Sequence, residues 1–166
     1  MQPLNLFNYF CKMQSEKNNI DFDKSIGPWL GKTIKIIDYF LLESLKSENI
    51  DLTKEQMIVL KKLHDEDGLN QNELAFLTLR NKSSLTRLLS KMENKDYILR
   101  KKSTKDKRIN NVFLTQFGRA VFIKTRPVTE RIIEVMEKGI SETEKQVMIN
   151  ILRKIQSNFN SKIEVI

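Results

Sequence analysis

The helical spacing of apolar residues is interrupted in one segment of this chain, and that interruption limits what the chain can fold into. From Trp29 to Met92, apolar residues recur every three or four positions, which is typical of helices with one buried face. Two short continuous runs follow, Tyr97-Ile98-Leu99-Arg100 and Val112-Phe113-Leu114, with a polar segment between them. Helical spacing then resumes as far as Ile155. The pattern predicts a mainly helical protein that contains one β-hairpin.

Capping motifs divide the helical part into separate segments. Three motifs place a capping side chain three residues before a Glu or Gln and precede an apolar helical stretch: Thr53 to Gln56, Asn70 to Glu73 and Ser141 to Glu144. Gly27-Pro28 marks the start of an earlier helix, and Asn81 that of a further one. The predicted order is a long helix, a second helix, a short helix, a break, a longer helix, the hairpin and two final helices.

The middle of this order has the arrangement of a winged helix-turn-helix, with the hairpin as the wing. The expected fold class is mainly α with a small β wing, plus long N- and C-terminal dimerisation helices. We expect residues 1–51 to form an N-terminal extension and a first dimerisation helix, residues 52–115 the winged helix-turn-helix domain, and residues 116–166 the C-terminal dimerisation helices. The apolar stripes of the terminal helices exceed what one small core can cover, which favours a partner surface.

The net charge of the chain is concentrated in this predicted motif. Between Arg80 and Arg108 there are eleven basic and three acidic residues, and the rest of the chain is neutral, so this segment carries the whole formal net charge of +8. A concentrated charge produces a local field that attracts a polyanion. Together with the order of helices and hairpin, it favours DNA binding over an ordinary solvated helix face.

The helix that follows the break, residues 81–95, is the predicted recognition helix. The major groove of DNA admits one α-helix, and base edges there distinguish all four base pairs. Short hydroxylated side chains let such a helix approach closely, and basic side chains can reach phosphates or guanine edges. The candidate DNA-binding residues of this helix are Lys82, Ser83, Ser84, Thr86, Arg87 and Lys91.

The tip of the predicted hairpin is a basic arm. Lys105, Lys107 and Arg108 are its candidate DNA contacts, and an arginine suits the negative potential of a narrow minor groove. Asp106 lies among them, although a carboxylate there would repel phosphate. We expect Asp106 to shape the wing by pairing with a basic side chain; an ordinary turn residue is the alternative.

The chain offers little material for catalysis. It has one histidine and one cysteine, no Gly-rich phosphate loop, and no Cys/His cluster with metal-ligand spacing. We therefore expect no enzyme activity, no cofactor and no metal. There is no apolar run of membrane-spanning length and no secretory pattern at the N-terminus, so no membrane association is expected. A single cysteine, Cys11, fits a cytoplasmic location.

Four sequence segments resemble the MarR family of bacterial transcription regulators, over residues 52–158. LTKEQMIVLKKL resembles the helix before the family's DNA-binding motif, and NELAFLTLRNKSSLTRLLSKMENKDYILR resembles its helix-turn-helix and first wing strand. DKR at Asp106 to Arg108 and VFLTQFGRAV after it resemble the Asp-x-Arg sequence of the wing and the start of the next helix. The order and the distances of all four segments agree with the family.

The resemblance implies a homodimer in which the first and last helices intertwine around a two-fold axis. It implies a recognition helix in the major groove, Arg108 in the minor groove, and double-stranded DNA with a pseudo-palindromic operator as the partner. Many relatives release DNA when a small aromatic compound binds between the dimer helices and the winged domain. Here the implied pocket is lined by Trp29, Ile37, Met57, Leu60 and His64. Core packing for the Trp and Met, and a surface or capping role for the His, are the alternatives.

Three features depart from the family pattern. The turn of the motif, Thr78-Leu79-Arg80, contains no glycine, and the extension before Trp29 is longer than usual. Cys11 lies farther from the next helix than the reactive cysteine of the family's hydroperoxide sensors, and no lysine or histidine cluster lies beside it. The position and sequence neighbours of Cys11 favour a small residue packed near Phe7 and Phe10 over a redox sensor.

The leading interpretation is a sequence-specific, dimeric DNA-binding regulator, a repressor that a small aromatic ligand releases. An architectural nucleic-acid-binding protein with little sequence preference is the alternative. An enzyme is a third hypothesis, for which no motif is present. Specificity separates the first two, because a regulator prefers its operator over random DNA by roughly 10³ or more.

Overall fold

The computed structural model describes residues 21–104 and 106–159, and the chain divides into two compact units between Ile36 and Ile37. A 3₁₀ turn, Phe22–Lys24, precedes the first helix. The helices and strands are, in chain order, α1 (Ile26–Ser47), α2 (Lys54–Asp65), α3 (Gln71–Leu77), α4 (Lys82–Asn94), β1 (Ile98–Lys102), β2 (Asn110–Leu114), α5 (Gln116–Glu137) and α6 (Glu142–Phe159). The predicted fold class, mainly helical with a small β wing, is confirmed.

Some sequence predictions concern residues outside the described ranges. They are the two alternatives for Cys11, its expected packing near Phe7 and Phe10, and the candidate DNA contact Lys105. These stay predictions from the sequence.

Reciprocal capping bonds begin three of the helices, as the sequence predicted. In each, a side-chain oxygen accepts from a backbone N–H three residues on, and the Glu or Gln there accepts from the backbone N–H of the capping residue. The two bonds measure 3.3 and 3.0 Å for Thr53 with Gln56, 3.0 and 2.8 Å for Asn70 with Glu73, and 3.3 and 2.8 Å for Ser141 with Glu144. These local bonds explain why α2, α3 and α6 begin where they do.

One hydrophobic core joins the helix-turn-helix to the hairpin. Helices α2, α3 and α4 and the two strands contribute these fully buried side chains: Val59, Leu60, Leu63, Leu74, Leu85, Leu89, Met92, Ile98 and Val112. Leu45 of α1 and Val128 of α5 are fully buried in the same core. The three that α4 contributes are spaced by three or four residues and so lie on one face of that helix. The core therefore fixes the rotation of α4 and leaves its opposite face to solvent.

The two strands pair antiparallel, with Ile98 opposite Leu114 and Lys102 opposite Asn110. The loop between α2 and α3 pairs with β2 through backbone hydrogen bonds, which the sequence did not predict. Gly68 N–H donates to the carbonyl of Val112 at 3.1 Å, and Val112 N–H donates to the carbonyl of Leu69 at 2.9 Å. These bonds hold the base of the hairpin against the helix-turn-helix.

Gly118, in the first turn of α5, lies against the backbone that connects α4 to β1. A Cβ atom at this position would be 1.9 Å from the carbonyl oxygen of Tyr97. The Thr115 hydroxyl caps the same turn: it accepts from Gly118 N–H at 2.8 Å and donates to the carbonyl of Asp96 at 2.5 Å. The start of α5 is thereby fixed to the segment that follows α4.

The C-terminal helices leave much of their apolar surface exposed in the single chain. No residue of α6 is buried, and its Met148 is 55% exposed. At the end of α5, Val135 is 70% exposed. Within the second unit, α1 buries Leu41 and Leu45 but leaves Phe40 57% exposed. Apolar surface of this extent is typical of an interface with another chain.

Candidate nucleic-acid interface

Most of the predicted DNA-binding residues of α4 lie on its exposed face. Lys82, Ser83, Thr86, Arg87 and Lys91 are exposed. The sixth, Ser84, is half-buried and lies next to the core residue Leu85. The outer face of α4 therefore presents short hydroxyl side chains and long basic ones together, as a helix in the major groove requires.

The N-terminus of α4 is organised by Asn81. The amide oxygen of Asn81 accepts from Ser84 N–H at 2.8 Å and from the Ser83 hydroxyl at 2.9 Å. The Ser84 hydroxyl lies 3.1 Å from Arg80 Nη1, which donates to it. These bonds satisfy local donors and pre-order the end of the helix that is predicted to enter the groove first.

The turn before α4 shows how the motif forms without a glycine. Leu79 adopts a φ of 51°, in the left-handed region, and its side chain is 67% exposed. Thr78 N–H donates to the carbonyl of Leu74 at 3.0 Å, and Arg80 N–H donates to that of Ala75 at 2.9 Å. A non-glycine residue in this conformation costs about 1–2 kcal/mol, which these bonds offset.

The prediction that Asp106 pairs with a basic side chain was wrong. Among the described residues its carboxylate forms no ion pair with a basic side chain; instead it accepts from the backbone N–H of Arg108 at 2.9 Å. The Asp106 carbonyl accepts from Ile109 N–H at 2.9 Å, and Ser103 N–H donates to the Ile109 carbonyl at 2.8 Å. Asp106 is thus a turn residue that bends the tip. Its bonds leave the side chains of Lys107 and Arg108 exposed.

Among the described residues, three basic side chains of the charged segment form ion pairs within the protein. Arg80 lies 3.9 Å from Glu55, Lys95 Nζ lies 2.6 Å from a carboxylate oxygen of Asp51, and Arg100 pairs with Glu93. The other basic side chains of the segment within the described residues have no carboxylate within ion-pair distance: Lys82, Arg87, Lys91, Lys101, Lys102, Lys107 and Arg108. The positive charge is therefore uncompensated on the outer face of α4 and on the hairpin.

Sequence reasoning did not identify the Glu93–Arg100 pair. Hydrogen bonds from the Arg100 side chain, the larger effect, and from its backbone N–H lower the pKa of Glu93 below its usual value, so this carboxyl is ionised at neutral pH. Seven residues and a change from helix to strand separate the two, so helical periodicity could not reveal the contact. The clue that the sequence offered was that Glu93 is one of only three acidic residues in a mostly basic segment.

A second feature is a groove of about 750 Å³ between α2 and α5. Its volume falls within the usual range for small-molecule sites. It is lined by Met57, Ile58, Lys61, Lys62, His64, Asp65, Phe122, Ile123, Thr125, Arg126, Thr129 and Glu130. The lining contains aromatic and aliphatic side chains together with several charged groups.

The structure brings together two of the five predicted pocket residues in this groove, Met57 and His64. Leu60 is fully buried in the core, and Ile37 is half-buried and does not line the groove. Trp29 belongs to the other compact unit, where its side chain is 63% exposed and its indole N–H donates to the carbonyl of Asp23 at 3.3 Å.

Most charges that line the groove are paired along their own helices. Lys61 pairs with Asp65 on α2, and Arg126 pairs with Glu130 on α5. The Lys61 bond lowers the pKa of Asp65. Half-buried Lys62 has no carboxylate within ion-pair distance among the described residues.

The aromatic part of the lining consists of His64 and Phe122. The ring of His64 lies 4.9 Å from that of Phe122, centroid to centroid. The groove thus combines an aromatic wall with one cation that has no ion-pair partner in the described ranges.

Within residues 21–104 and 106–159, no cluster of histidine, cysteine or carboxylate side chains has the arrangement of a metal site. In the same residues, no helix is long and apolar enough to cross a membrane.

Comparisons with known proteins agree with this geometry. A family model described as MarR family matches residues 52–109. The HTH-type transcriptional regulator SarZ of Staphylococcus aureus strain MRSA252 is 34% identical over 116 residues, which cover 69% of this chain and 76% of that protein. SarZ of strain USA300 is 36% identical over 112 residues, covering 66% and 74% of the two chains.

Solved structures of other proteins share the fold. The structure of Bordetella bronchiseptica BpsR, whose DNA binding is regulated by 6-hydroxynicotinic acid, has a TM-score of 0.75 and 20% identity, and the match covers 82% of this chain and 96% of that chain. The transcriptional repressor CouR bound to a 23-mer DNA duplex has a TM-score of 0.74 and 21% identity, and the match covers 81% and 94%.

Proposed function

Because the chain belongs to the MarR family of DNA-binding transcriptional regulators, we propose that it is a homodimeric repressor that leaves its operator when a small aromatic molecule binds. Its relatives are regulators and not enzymes. The proposal assigns residues 52–115 to DNA binding and residues 1–51 and 116–166 to dimerisation. Its site of action is a pseudo-palindromic operator in the cytoplasm.

The observation that carries the proposal is the uncompensated charge on α4 and the hairpin. The core holds Leu85, Leu89 and Met92, so the opposite face of α4 is free to lie in the major groove. Within the part of the chain that the structure describes, the side chains of Arg87 and Lys91 on that face have no acidic partner that would compete with DNA. We assign Lys82, Ser83, Ser84 and Thr86 to the same groove, and Lys105, Lys107 and Arg108 to the minor groove beside it.

The exposed apolar surface of the terminal helices supports a dimer. A second copy of the chain would cover Phe40 of α1, Val135 of α5 and Met148 of α6, which the single chain leaves exposed. A two-fold dimer presents two copies of α4, which suits half-sites one helical turn apart. The pseudo-palindromic operator follows from that symmetry.

The groove between α2 and α5 supports the effector. Its aromatic wall, His64 and Phe122, suits a flat ring, and the unpaired ammonium of Lys62 suits an acidic group on that ring. BpsR responds to a molecule of this class, 6-hydroxynicotinic acid. Release of DNA requires that the ligand bind more tightly to one arrangement of the dimer than to the other.

Selection of bound fragments from a random DNA pool tests the proposal. We expect one pseudo-palindromic sequence to be enriched and to bind roughly 10³ times more tightly than a scrambled duplex at the same salt concentration. Equal affinity for both duplexes would instead support the architectural alternative. Repeating the binding measurement with 6-hydroxynicotinic acid or benzoate tests the effector separately.

A further inference from the structure

Glu93 and Arg100 join the last turn of the recognition helix to the first strand of the wing. Arg100 donates from its backbone N–H to Glu93 Oε1 at 3.1 Å and from Nε to Glu93 Oε2 at 2.9 Å. Its Nη2 also donates to Glu93 Oε2 and lies 3.4 Å from the Ser90 hydroxyl. One arginine thus contacts two positions on α4, Ser90 and Glu93, which lie on the same face of the helix.

The contact is partly shielded from solvent. The side chains of Arg100 and Glu93 are 24% and 35% exposed. A planar guanidinium that donates through two nitrogens to one carboxylate restricts orientation as well as distance. The lowered pKa of Glu93 shows that the protein favours its charged form. The pair therefore constrains the direction in which β1 leaves α4.

That direction matters because the wing tip is remote from the contact. Arg108 lies beyond a strand of five residues, which spans about 17 Å. Over that length, a 10° change in the angle of the hairpin moves the tip by roughly 3 Å, more than a hydrogen bond tolerates. A small change at Arg100 would therefore separate Arg108 from a groove that α4 still occupies.

We propose that Glu93 and Arg100 are positioning residues that set operator specificity, because they hold the wing at the angle at which α4 and Arg108 reach the same duplex. This inference rests on the proposed function, which assigns α4 and Arg108 to DNA. Neither residue of the pair needs to touch a base. Their charges pair with each other, and they affect DNA binding through the angle of the wing.

Electrostatics and positioning predict opposite effects for Glu93→Gln. The substitution removes a negative charge from a basic segment, so electrostatics alone predicts tighter binding to every duplex. If the wing also loses its position, the removed charge still tightens binding to a scrambled duplex, but binding to the operator becomes weaker. The ratio of the two affinities therefore isolates the positioning effect.

The experiment compares three full-length variants by fluorescence anisotropy on the selected operator and its scrambled duplex. Asp96→Asn is the matched control: Asp96 is an exposed acid of the same segment with a φ of 57°, which asparagine tolerates. We expect Asp96→Asn to strengthen both affinities and keep their ratio. We expect Glu93→Gln to lower the ratio by about tenfold, the scale of one lost base-edge contact.

Arg100→Lys separates geometry from charge, because it keeps the charge and removes the fork that reaches Glu93 and Ser90. We expect it to lower the ratio as Glu93→Gln does, while circular dichroism stays that of the parent. If folded Glu93→Gln and Arg100→Lys both keep the parental ratio, the inference is wrong. If the parent itself shows no operator preference, the proposed function is wrong instead.

Discussion

The DNA-facing charge of this protein depends on which basic side chains lack an acidic neighbour. Lys95 and Arg100 are committed to Asp51 and Glu93, so the number of basic residues in the sequence overstates what DNA would meet. Arg108 differs from both, because Asp106 bonds its backbone and leaves its guanidinium exposed. Basic residues of one segment thus divide into those paired within the protein and those that are exposed, which the proposal assigns to DNA.

Arg108→Ala tests this division at the wing tip. We expect operator affinity to fall by about tenfold or more, and the slope of log affinity against log salt to fall by about 0.9 for each lost phosphate contact. Lys124→Ala is the control, since Lys124 is an exposed cation of α5 outside the charged segment. Equal losses for the two variants in a salt titration would mean that Arg108 contributes only net charge.

Leu79→Gly tests the strained turn. Glycine adopts a φ of 51° without the penalty that leucine has there, and little burial is lost because Leu79 is 67% exposed. We expect the free energy of unfolding, from urea titration, to rise by up to about 1 kcal/mol. Leu79→Ala keeps a Cβ atom, so its free energy of unfolding should not rise. A greater loss of stability for the glycine variant than for the alanine variant contradicts this account.

Lys62→Gln tests the cation of the effector groove. We expect about tenfold more 6-hydroxynicotinic acid or benzoate to be needed for release of the operator, because a hydrogen bond to a charged group is lost. Lys61→Gln removes the same charge, but Lys61 is already paired with Asp65 and should change the response little. Equal responses of the two variants in operator-release titrations would remove Lys62 from the site.

At the scale of helices and strands, local patterns predicted most of the fold. The capping motifs at Thr53, Asn70 and Ser141 specify helix starts through bonds within four residues, so the sequence displays them directly. The pairing of Gly68 and Leu69 with Val112 was missed, because it joins residues distant in the chain.

The candidate site, like the fold, was predicted only in part from the sequence. The outer face of α4 follows from the apolar spacing of Leu85, Leu89 and Met92, whereas the partner of Asp106 does not. The groove brings His64 beside Phe122, a residue that sequence reasoning did not assign to it. The groove depends on how distant segments pack, which no local pattern encodes, whereas the Asp106 bond is a local turn contact with the residue two positions on.

Gly118→Ala tests the junction between α5 and the segment that connects α4 to β1. Helix propensity alone predicts a gain of about 1 kcal/mol, but the added Cβ would meet the Tyr97 carbonyl at 1.9 Å. We expect a loss of about 3 kcal/mol in the free energy of unfolding, because backbone must move. Gly31→Ala is the control, since nothing lies within 4 Å of the position of its Cβ. Stabilisation by Gly118→Ala would show that the junction is not tight.

At the scale of the whole molecule, the proposed repressor is complete only as a pair of chains. The apolar surface of α6 and the end of α5 has no cover in the single chain, and Val135 and Met148 are more than half exposed. The sequence indicated this excess through apolar stripes on terminal helices. It could not give the arrangement of the two chains, because that depends on surfaces of both.

The most direct test of the central claim is the affinity of the purified protein for its selected operator when the distance between half-sites is changed. Inserting about 5 base pairs turns the half-sites to opposite faces of the duplex, and inserting about 10 returns them to the same face. For a dimer with two linked copies of α4, we predict that the shorter insertion reduces the affinity to that of scrambled DNA. Unchanged affinity after the shorter insertion would contradict the account.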